Sequence, residues 1–457
     1  MHVHHTEPAT PTLIDRRVPV GAYAWVVFAL TVGLLLSDYM SRQVLNAVFP
    51  LLKSAWGMSD TQLGSLSSVV ALIVGVLTFP LSVLADRWGR VKSIALMAGL
   101  WSIATLGCAI STNYGEMLVA RAFVGLGEAA YGSVGIALVL SIFPARLRAT
   151  LTAAFMAGGA FGSVLGMALG GLVAAHLGWR WSFGAMAVFG FVLVVFYRLV
   201  VTEKRLAPMQ PHHIDASPEK PDTRISLRQL MTGLFSSKSV VCAYVGSGLH
   251  LLVPAALWAW MPSFLNRYYA MEPGKAAVAA AGFVLVTGLG MVVTGMVTDR
   301  VSRFAPNRKW ICAIAYCVAC FALLGTGFLL PAGPLQLVLI GAGMFVSAGA
   351  CGPAGAMVAN LTPAPIHGSA FATLTLANNL LGLAPAAILM GMIADKIGLL
   401  GALQVVPFAP LAATVAFAIG RLHYASDLAR LKAPHRAPPA DVSRGSVDDR
   451  TLSAAAC

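Results

Sequence analysis

Residues 82–90 read SVLADRWGR, and residues 295–303 read GMVTDRVSR. The Asp-Arg-x-x-Arg core of the first segment therefore recurs 213 residues later. Each copy follows one long apolar block and precedes another. Parallel repeats of this kind, related by an axis along the membrane normal, build transporters whose substrate site lies between two helical bundles. The two segments predict a duplicated membrane protein.

The composition also indicates a membrane protein. Of 457 residues, 58% are hydrophobic and 11% are charged, whereas soluble domains carry about 25% charged residues. The apolar residues fall into about a dozen blocks of roughly 20 or more, the length that a helix needs to cross a bilayer. The blocks lack the polar-apolar alternation of barrel strands. We therefore expect an all-α membrane protein with twelve transmembrane helices.

The predicted spans form two sets of six. They cover residues 22–50, 60–84, 92–111, 114–140, 149–176 and 180–200, and then 238–268, 274–298, 309–330, 334–360, 367–395 and 400–421. The resulting organisation is an N-terminal tail (1–20), an N-terminal six-helix bundle (21–201), a linker rich in Pro and charge (202–237), a C-terminal six-helix bundle (238–423) and a C-terminal tail (424–457).

Charge asymmetry predicts the orientation. With the N-terminus in the cytoplasm, 24 of the 31 Lys and Arg residues fall in cytoplasmic segments and five on the opposite side, which satisfies the positive-inside rule. The linker and both tails are then cytoplasmic. This bias and attraction to anionic membrane lipids explain the net charge of +13, so we expect no nucleic-acid partner.

The paired segments resemble the signature G-x-x-x-D-R-x-G-R-[RK] of the major facilitator superfamily, which lies between spans two and three. In the first copy Ser82 replaces the opening Gly, and Val91 separates the basic pair. In the second copy Gly295 is kept, and Ser302 replaces the second Gly. The resemblance implies the major facilitator fold, in which two pseudo-symmetric six-helix bundles work by alternating access.

Charged residues in both copies are candidate gating residues. In one tight loop such residues can simply mark the membrane surface, but two corresponding copies favour a gate whose ion pairs form in one state and break in another. The resemblance implies that Asp86 and its basic neighbours close the cytoplasmic side without touching substrate. The candidates are Asp86, Arg87, Arg90, Asp299, Arg300 and Arg303.

Four ionisable residues lie inside predicted spans of the first half. Glu128 lies near the middle of the fourth span, in RAFVGLGEAAYG (121–132), and Arg121 lies two helical turns earlier on the same face. Asp38 and Arg42 are one turn apart in the first span and can pair. A charge at mid-span costs roughly 2.5–3.5 kcal/mol, so such residues almost always face a cavity or a partner.

If spans one and four adjoin, as the resemblance implies, these residues form one buried cluster with two charges of each sign. We expect Glu128, together with Asp38, to couple transport to protons. Burial in low dielectric favours the neutral carboxyl and a nearby Arg favours the carboxylate, so a group balanced between the two can bind and release a proton. Arg42 and Arg121, with Tyr39, would bind an anionic substrate. A purely structural ion-pair network is the alternative.

The first-span pattern Y-x-D-R and the fourth-span pattern R-x-x-x-G-x-G-E resemble two groups of the superfamily. The anion:cation symporters move small organic anions with protons, and the Spinster-like transporters handle lysolipids and sphingolipids in animals. Tyr39, Arg42 and Glu128 match, but Ser41 stands where the family has Asp, and Asp38 stands where Asn is usual. The segments SDTQLGSLSS, GLGEAAYG and LGWRWSF are slightly closer to the Spinster-like pattern.

The second half offers fewer polar candidates. The resemblance places His250 in the cavity-lining seventh span, where it would bind substrate or protons; a core histidine is the alternative. Asn378 and Asn379 in the eleventh span either line the cavity or bond neighbouring helices. Trp258 and Trp260 predict an aromatic belt at the outer interface or, alternatively, an aromatic substrate box.

Glycine recurs at every fourth residue of the fifth span. The positions are Gly158, Gly162, Gly166 and Gly170. A smooth ridge of this kind predicts close approach of a neighbouring helix.

These features predict a secondary active transporter and not an enzyme. The chain has no G-x-x-x-x-G-K-[ST] phosphate loop and no convincing catalytic set, and we expect neither a cofactor nor a bound metal. The expected substrate is a small organic anion moved with protons. An amphiphile such as a lysolipid with an anionic head is the alternative, and a non-transporting sensor or scaffold is a more distant one. We expect a monomer in the bacterial inner membrane with both termini cytoplasmic.

Overall fold

The computed structural model describes residues 21–206, 233–235, 237–303, 305, 307–363 and 366–432, without the side chains of Asp86, Ala145 and Ala149. Most of the predicted tails and linker lies outside the described residues. The assignment of residues 1–20, 202–237 and 424–457 to tails and a linker therefore stays a prediction.

Twelve helical spans, α1 to α12, follow one another in the described part of the chain. In the first half, α1 is Ala22–Trp56, α2 is Asp60–Trp88, α3 is Arg90–Ile110, α4 is Tyr114–Glu128 continued by Tyr131–Ile142, α5 is Arg148–Leu177 and α6 is Trp179–Val200. In the second half, α7 is Lys238–Tyr268, α8 is Pro273–Ser302, α9 is Arg308–Leu329, α10 is Pro334–Val346 continued by Cys351–Leu361, α11 is His367–Asn378 with Asn379–Leu383 and Ala384–Val405, and α12 is Phe408–Lys432.

Eleven helices in the described ranges are long and apolar enough to cross a membrane. The remaining helix, α12, carries four charged residues in its last twelve positions, Arg421, Asp427, Arg430 and Lys432. With α12 the set of twelve is complete. The predicted fold class, an all-α membrane protein with twelve spans, is confirmed.

The two copies of the Asp-Arg segment differ in how the chain leaves the helix. In the first copy Gly89 adopts φ 93° and ψ 133° and separates α2 from α3. This backbone conformation favours glycine, because a side chain at positive φ is strained. In the second copy Ser302 still belongs to α8, and Arg303 follows with φ −53°. The missing glycine therefore lets α8 continue where α2 has already ended.

The glycine ridge of α5 packs against α1, and the predicted close approach is confirmed. A Cβ atom added at any of the four positions would collide with α1. The facing pairs are Gly158 with Val32, Gly162 with Leu36, Gly166 with Met40 and Gly170 with Val44. Because the glycines have no side chains, α1 and α5 approach each other closely and pack tightly inside the first bundle.

Three spans depart from regular α-helix within the membrane region. α4 is interrupted at Ala129–Ala130, directly after Glu128, and α10 is interrupted at 347–350. These breaks lie in the fourth span of each half, so the pseudo-symmetry of the sequence repeat extends to them. In α11 the segment Asn379–Leu383 is a π-helix, and Gly398 (φ 80°) kinks the segment Ala384–Val405. Departures of this kind frequently mark functional sites.

We call the end of the molecule with the loops near residues 89 and 303 the linker end, and the end with residues 57–59 and 269–272 the far end. The two bundles pack together from the far end to the middle of the molecule, where Gly75 of α2 meets Asn379 of α11. The Phe49 ring of α1 lies 5.3 Å from the Trp260 ring of α7, and Gly171 of α5 abuts Ala277 of α8. Hydrogen bonds and ion pairs connect the bundles at Asp60, Thr61 and Ser68, near the far end of α2.

Trp260 does not belong to an exposed aromatic belt. Its side chain is fully buried, and its indole N–H donates to the Ala387 carbonyl at 3.1 Å. The belt prediction was therefore wrong for Trp260, because the apolar ring is used for contact between the bundles. Trp258 is partly buried and donates to the Thr287 hydroxyl at 3.4 Å.

At the linker end, α12 continues beyond its predicted span and fastens α7. One carboxylate oxygen of Asp427 accepts hydrogen bonds from the Ser237 hydroxyl at 2.9 Å, from the Ser239 N–H at 2.9 Å and from the Ser239 hydroxyl at 2.8 Å. Burial acts to raise the pKa of Asp427, but these hydrogen bonds outweigh it and hold the pKa below its usual value. Asp427 thus caps the N-terminus of α7 from another helix.

Candidate functional site

A group of polar side chains connects the middle of α1 to the break in α4. Asp38, Ser41 and Arg42 share one face of α1, because residues three and four apart project from the same side of a helix. Glu128 ends the first part of α4 and faces them. We call these four residues the charged cluster. It confirms the expectation that the first and fourth spans bring their charges together.

Arg42 lies between the two carboxylates. Its Nε atom is 2.6 Å from Glu128 Oε2 and 3.4 Å from Asp38 Oδ1. The contact with Asp38 has the geometry of a hydrogen bond, whereas the closer contact with Glu128 is an ion pair without that alignment. The guanidinium also lies 5.5 Å from the centre of the Tyr39 ring. One guanidinium thus contacts two carboxylates and one aromatic ring.

The members of the cluster differ in their access to solvent. The side chains of Glu128 and Asp38 are 0% and 4% exposed, whereas that of Arg42 is 24% exposed. An entering molecule would therefore meet Arg42 before either carboxylate. The Tyr39 ring is half-buried and packs against Gly159 of α5.

Ser41 joins the two helices through its hydroxyl group. The Ser41 hydroxyl donates to the Asp38 carbonyl at 2.7 Å and lies 3.3 Å from Glu128 Oε1. A hydroxyl has one proton but two acceptor lone pairs. Because the shorter bond uses the proton, the Ser41 oxygen remains able to accept a hydrogen bond from a protonated Glu128.

Arg121 is next to the cluster but bonds to backbone rather than to carboxylates. Its guanidinium donates to the Ser41 carbonyl at 3.1 Å and to the Leu66 carbonyl at 3.3 Å. The residue is 1% exposed. Arg121 therefore fastens α1 and α2 to α4, and it supports the charged cluster through the backbone of Ser41. Its predicted role in binding substrate stays a prediction.

The predicted residues of the second half lie apart from the charged cluster. His250 is fully buried within the second bundle, with Nδ1 3.3 Å from the Cys317 sulfur. Asn379 donates to the Thr375 carbonyl at 2.9 Å and packs against Gly75 of α2, at the start of the π-helix. Asn378 is half-buried. No set of three or more His, Cys, Asp or Glu within the described ranges is arranged to hold a metal ion.

The gating candidates lie at the linker end, where the structure describes no ion pair between the bundles. The exposed ones are Arg87, Asp299, Arg300 and Arg303. Arg90 donates to the Ala137 carbonyl at 3.3 Å. The side chain of Asp86 lies outside the described part, so its predicted role is not addressed by these contacts.

A second polar assembly closes the far end. Arg267 at the end of α7 makes a two-pronged contact with Asp60 at the start of α2, with distances of 2.8 and 2.6 Å. Lys53 of α1 lies 2.7 Å from the same carboxylate. The ion pair is therefore shared between the bundles. Two-pronged Arg-carboxylate contacts are among the stronger polar interactions in proteins.

Asp395 of α11 completes this assembly by capping α2. Its carboxylate accepts hydrogen bonds from the Asp60 N–H at 2.8 Å, the Thr61 N–H at 2.9 Å and the Thr61 hydroxyl at 2.6 Å. The first N–H groups of a helix lack partners within that helix, and a carboxylate there also meets the positive end of the helix dipole. We call Asp60, Thr61, Arg267 and Asp395 the far-end latch.

A protein-family model described as Major Facilitator Superfamily matches residues 31–386, which is more than half of the chain. The chain belongs to the Major Facilitator Superfamily. Its fold and its relatives are those of membrane transporters and not of enzymes.

Several relatives are about a quarter identical to this chain over the aligned residues. Protein spinster of Drosophila melanogaster is 26% identical over 70% of this chain and 54% of its own length. The chain thus spans about half of that protein. The gallate transporter of Pseudomonas putida is 27% identical over 74% of this chain and 78% of its own. The probable L-galactonate transporter of Escherichia coli (strain K12) is 25% identical over 68% and 69%.

Solved structures of the superfamily share the fold. A bacterial homolog of the human lysosomal transporter Spinster, in an inward-facing and unoccupied conformation, superposes with a TM-score of 0.77 at 16% identity, covering 90% of this chain and 99% of that one. A D-xylose-proton symporter superposes with a TM-score of 0.69 at 17% identity, covering 87% and 97%. At these identities the likeness concerns the fold alone.

Two features of this superfamily member were missed from sequence. Ser41 was recognised only as a replacement for the usual acid, although its hydroxyl connects α1 to Glu128. The far-end latch was not predicted at all. The sequence signal was present in part, because Asp60, Arg267 and Asp395 all lie at ends of apolar blocks, but nothing in one sequence indicates which of these ends meet.

Proposed function

We propose that this protein is a secondary active transporter that carries a small organic anion together with a proton by alternating access. The observation that carries the proposal is that a single partly exposed guanidinium, Arg42, is shared by two buried carboxylates, Asp38 and Glu128. Relatives named for gallate, L-galactonate and 4-hydroxybenzoate transport support an anionic substrate.

The sharing of Arg42 suggests how anion and proton would be coupled. In the structure Arg42 neutralises Glu128 by the 2.6 Å ion pair. A substrate carboxylate that binds Arg42 with both oxygens would displace Glu128, since Arg favours two-pronged carboxylate contacts. An unpaired carboxylate buried away from water is costly. Glu128 would therefore bind a proton as the anion binds, so that one negative and one positive charge enter together.

Ser41 and Asp38 suit this exchange. When Glu128 carries a proton, the Ser41 oxygen can accept a hydrogen bond from it, because the Ser41 proton is engaged with the Asp38 carbonyl. Asp38 stays within 3.4 Å of Arg42 and would hold the guanidinium in place while Glu128 leaves. We assign Glu128 the coupling role and Asp38 a supporting one.

Alternating access would use the two ends of the molecule in turn. The described contacts between bundles run from the far-end latch to the middle of the molecule, where Gly75 meets Asn379. We propose that the linker end faces the cytoplasm of a bacterial inner membrane, as the charge asymmetry predicts. The structure would then correspond to a state open to the cytoplasm, and the Asp-Arg segments would close that side in the opposite state.

A second candidate function is transport of an amphiphile with an anionic head group. The match to Protein spinster and the fold likeness to a bacterial Spinster homolog favour it. Its head group would use Arg42 in the same way, so the two candidates differ in what surrounds the anion rather than in how the anion binds.

The test begins with ligand identification. Purified protein is screened by thermal unfolding against gallate, 4-hydroxybenzoate, galactonate and lysophospholipids, because a ligand that binds only the folded state raises its apparent stability. Stabilisation by carboxylates supports the first candidate, and stabilisation by lysophospholipids alone supports the second. Ligands that bind without ever being transported in liposomes would indicate a sensor or scaffold instead.

Coupling is tested on Glu128 with a matched control in the same helix. Glu128→Gln should abolish uptake driven by a pH gradient and keep exchange of substrate at equal pH, because Gln mimics a permanently protonated Glu. Glu116→Gln is the control, since Glu116 is an exposed acid in the first turn of α4. Unchanged gradient-driven uptake by Glu128→Gln would refute the assignment of Glu128.

A further inference from the structure

A groove on the outer surface of the first bundle combines apolar walls with a basic rim. It lies at the linker end between α3 and α6, has a volume of about 550 Å³, and is bordered by the end of α2. The residues that line it are Trp88, Lys92, Ser93, Ala95, Leu96, Val194 and Arg198. None of them belongs to the charged cluster or to the far-end latch.

The polar and apolar side chains of the groove are arranged in layers. Lys92 and Leu96 are four residues apart on α3, and Val194 and Arg198 are four residues apart on α6. Four residues along a helix correspond to about 6 Å. Lys92 lies near the first residue of α3 and Arg198 near the last residue of α6, so both basic groups are at the linker end and both apolar groups lie one turn deeper.

The basic groups are available for a ligand. Lys92 and Arg198 are exposed, and neither forms an ion pair or hydrogen bond with another side chain in the described ranges. Glu203, in the one-turn helix Glu203–Leu206 after α6, lies with its carboxylate against Gly89, next to Trp88, and Lys204 and Arg205 follow it directly. The basic residues Lys92, Arg198, Lys204 and Arg205 outnumber this one acid. The local charge is therefore positive.

Trp88 and Leu96 indicate that the groove faces lipid rather than a protein interior. Trp88, just beyond the membrane-length segment Asp60–Ala85 of α2, is 55% exposed, and Leu96, on α3, which crosses the membrane, is 59% exposed. Tryptophan is enriched where the acyl region meets the head groups. Basic pockets between membrane helices near this interface bind anionic lipid head groups.

We propose that this groove binds an anionic diacyl phospholipid from the leaflet at the linker end. The phosphate would lie between Lys92 and Arg198, the glycerol region against Trp88, and one acyl chain along Leu96 and Val194. Lipid binding in this groove does not depend on proton coupling or on anion transport. Both of its walls belong to the first bundle, so a lipid bound there would fasten α3 to α6 without bridging the bundles.

The test measures lipid binding with phosphatidylglycerol as the probe. Delipidated full-length protein is titrated with phosphatidylglycerol, and retained lipids are counted by native mass spectrometry. The double variant Lys92→Gln/Arg198→Gln should bind phosphatidylglycerol about 30-fold more weakly, which is about fivefold for each basic residue lost near an anionic head group. Phosphatidylcholine should bind weakly to the wild type and to the variant alike.

A control of equal charge separates the groove from general attraction. Lys309→Gln/Arg421→Gln removes two basic residues near the linker end of α9 and α12 and should leave phosphatidylglycerol binding nearly unchanged. Equal loss in both double variants would overturn the proposal, because it would mean that overall charge decides binding. Equal binding of phosphatidylcholine and phosphatidylglycerol to the wild type would also overturn it.

A spectroscopic measurement locates the lipid. Phosphatidylglycerol brominated on its acyl chains quenches nearby tryptophans, and Trp88→Phe should remove a distinct part of the quenching at low lipid ratios. Trp181→Phe is the control, since Trp181 is 64% exposed at the far end of α6. If the two variants show the same quenching as each other and as the wild type, the lipid does not occupy the groove.

Discussion

Replacement of Asp395 by alanine should open the far end of the molecule. Asp395 makes three hydrogen bonds across the bundle interface, two to backbone N–H groups of α2 and one to the Thr61 hydroxyl. These bonds belong to the closed far end only, because they require α11 to touch the start of α2. Their loss therefore destabilises one state and leaves the other unchanged, which is the condition for a shift in population.

The size of the shift follows from the exposure of these groups. A hydrogen bond to a charged group contributes about 1.5–3 kcal/mol, but water replaces part of this at Thr61, whose bonds to Asp395 are exposed. We expect a net change of about 2 kcal/mol, which is roughly a 30-fold change in the equilibrium constant. A population ratio of about 99 to 1 in favour of the closed far end would become about 3 to 1.

The shift is measurable by electron-electron double resonance. Spin labels at Ala55 and Ala332, both exposed residues at the far end of opposite bundles, report the separation in a background without reactive native cysteines. Asp395→Ala should add a population with a longer distance between the labels, and Asp395→Asn should add a smaller population at that distance. Glu272→Ala is the control, because Glu272 is an exposed far-end acid paired only with Lys275, at 3.0 Å, in the described residues. An unchanged distance distribution in Asp395→Ala would refute the reasoning.

Three further outcomes are expected. Arg42→Ala should weaken binding of the identified anion by about 1.5–3 kcal/mol in a calorimetric titration, and an unchanged affinity would remove Arg42 from the site. Gly166→Ala should destabilise the protein by about 1–3 kcal/mol in thermal unfolding, because the new methyl group meets the Met40 backbone, whereas Gly184→Ala, with open space around it, should not. Asp427 has a lowered pKa in the fold, so its contribution to the free energy of unfolding is present above its ordinary pKa near 3.8 and is lost as the pH falls further. Asp427→Asn should therefore make the free energy of unfolding change less with pH in that range, and an unchanged pH dependence would contradict the assignment.

The sequence was sufficient to predict the fold and the meeting of Glu128 with Arg42, and the physical reasons can be named. Apolar blocks of membrane length permit few structures other than helices, so the spans could be counted. Glu128 and Arg42 could be placed in one cluster, because an ionised group inside such a block needs a partner and the resemblance implies that spans one and four adjoin. The glycine ridge of α5 also had one simple consequence, close helix packing, and α1 supplies the partner.

The remaining features depend on distances that one sequence does not contain. Whether Arg121 meets a carboxylate or a carbonyl depends on the rotation of α4 against α1, and the structure places it on the carbonyls of Ser41 and Leu66. Asp60 and Asp395 are 335 residues apart. Their contact depends on how two bundles meet, and local patterns are silent about that. Trp260 was misread for the same reason, since the other bundle covers it.

The position of Asp395 depends on the number of residues that precede it in α11, and the π-helix at Asn379–Leu383 lies among them. Each hydrogen bond in such a turn spans one residue more than in an α-helix. Deleting one residue inside the π-helix would let the turn close as ordinary α-helix, so the rest of α11 would keep nearly the same orientation. Deleting the exposed Leu389, in the regular helix between the π-helix and Asp395, would instead rotate everything beyond it by about 100°. Asp395 would then swing away from the first turn of α2, although no contact residue had been altered. A single lost codon in an apolar stretch would thus unseat a closure that lies farther along the helix.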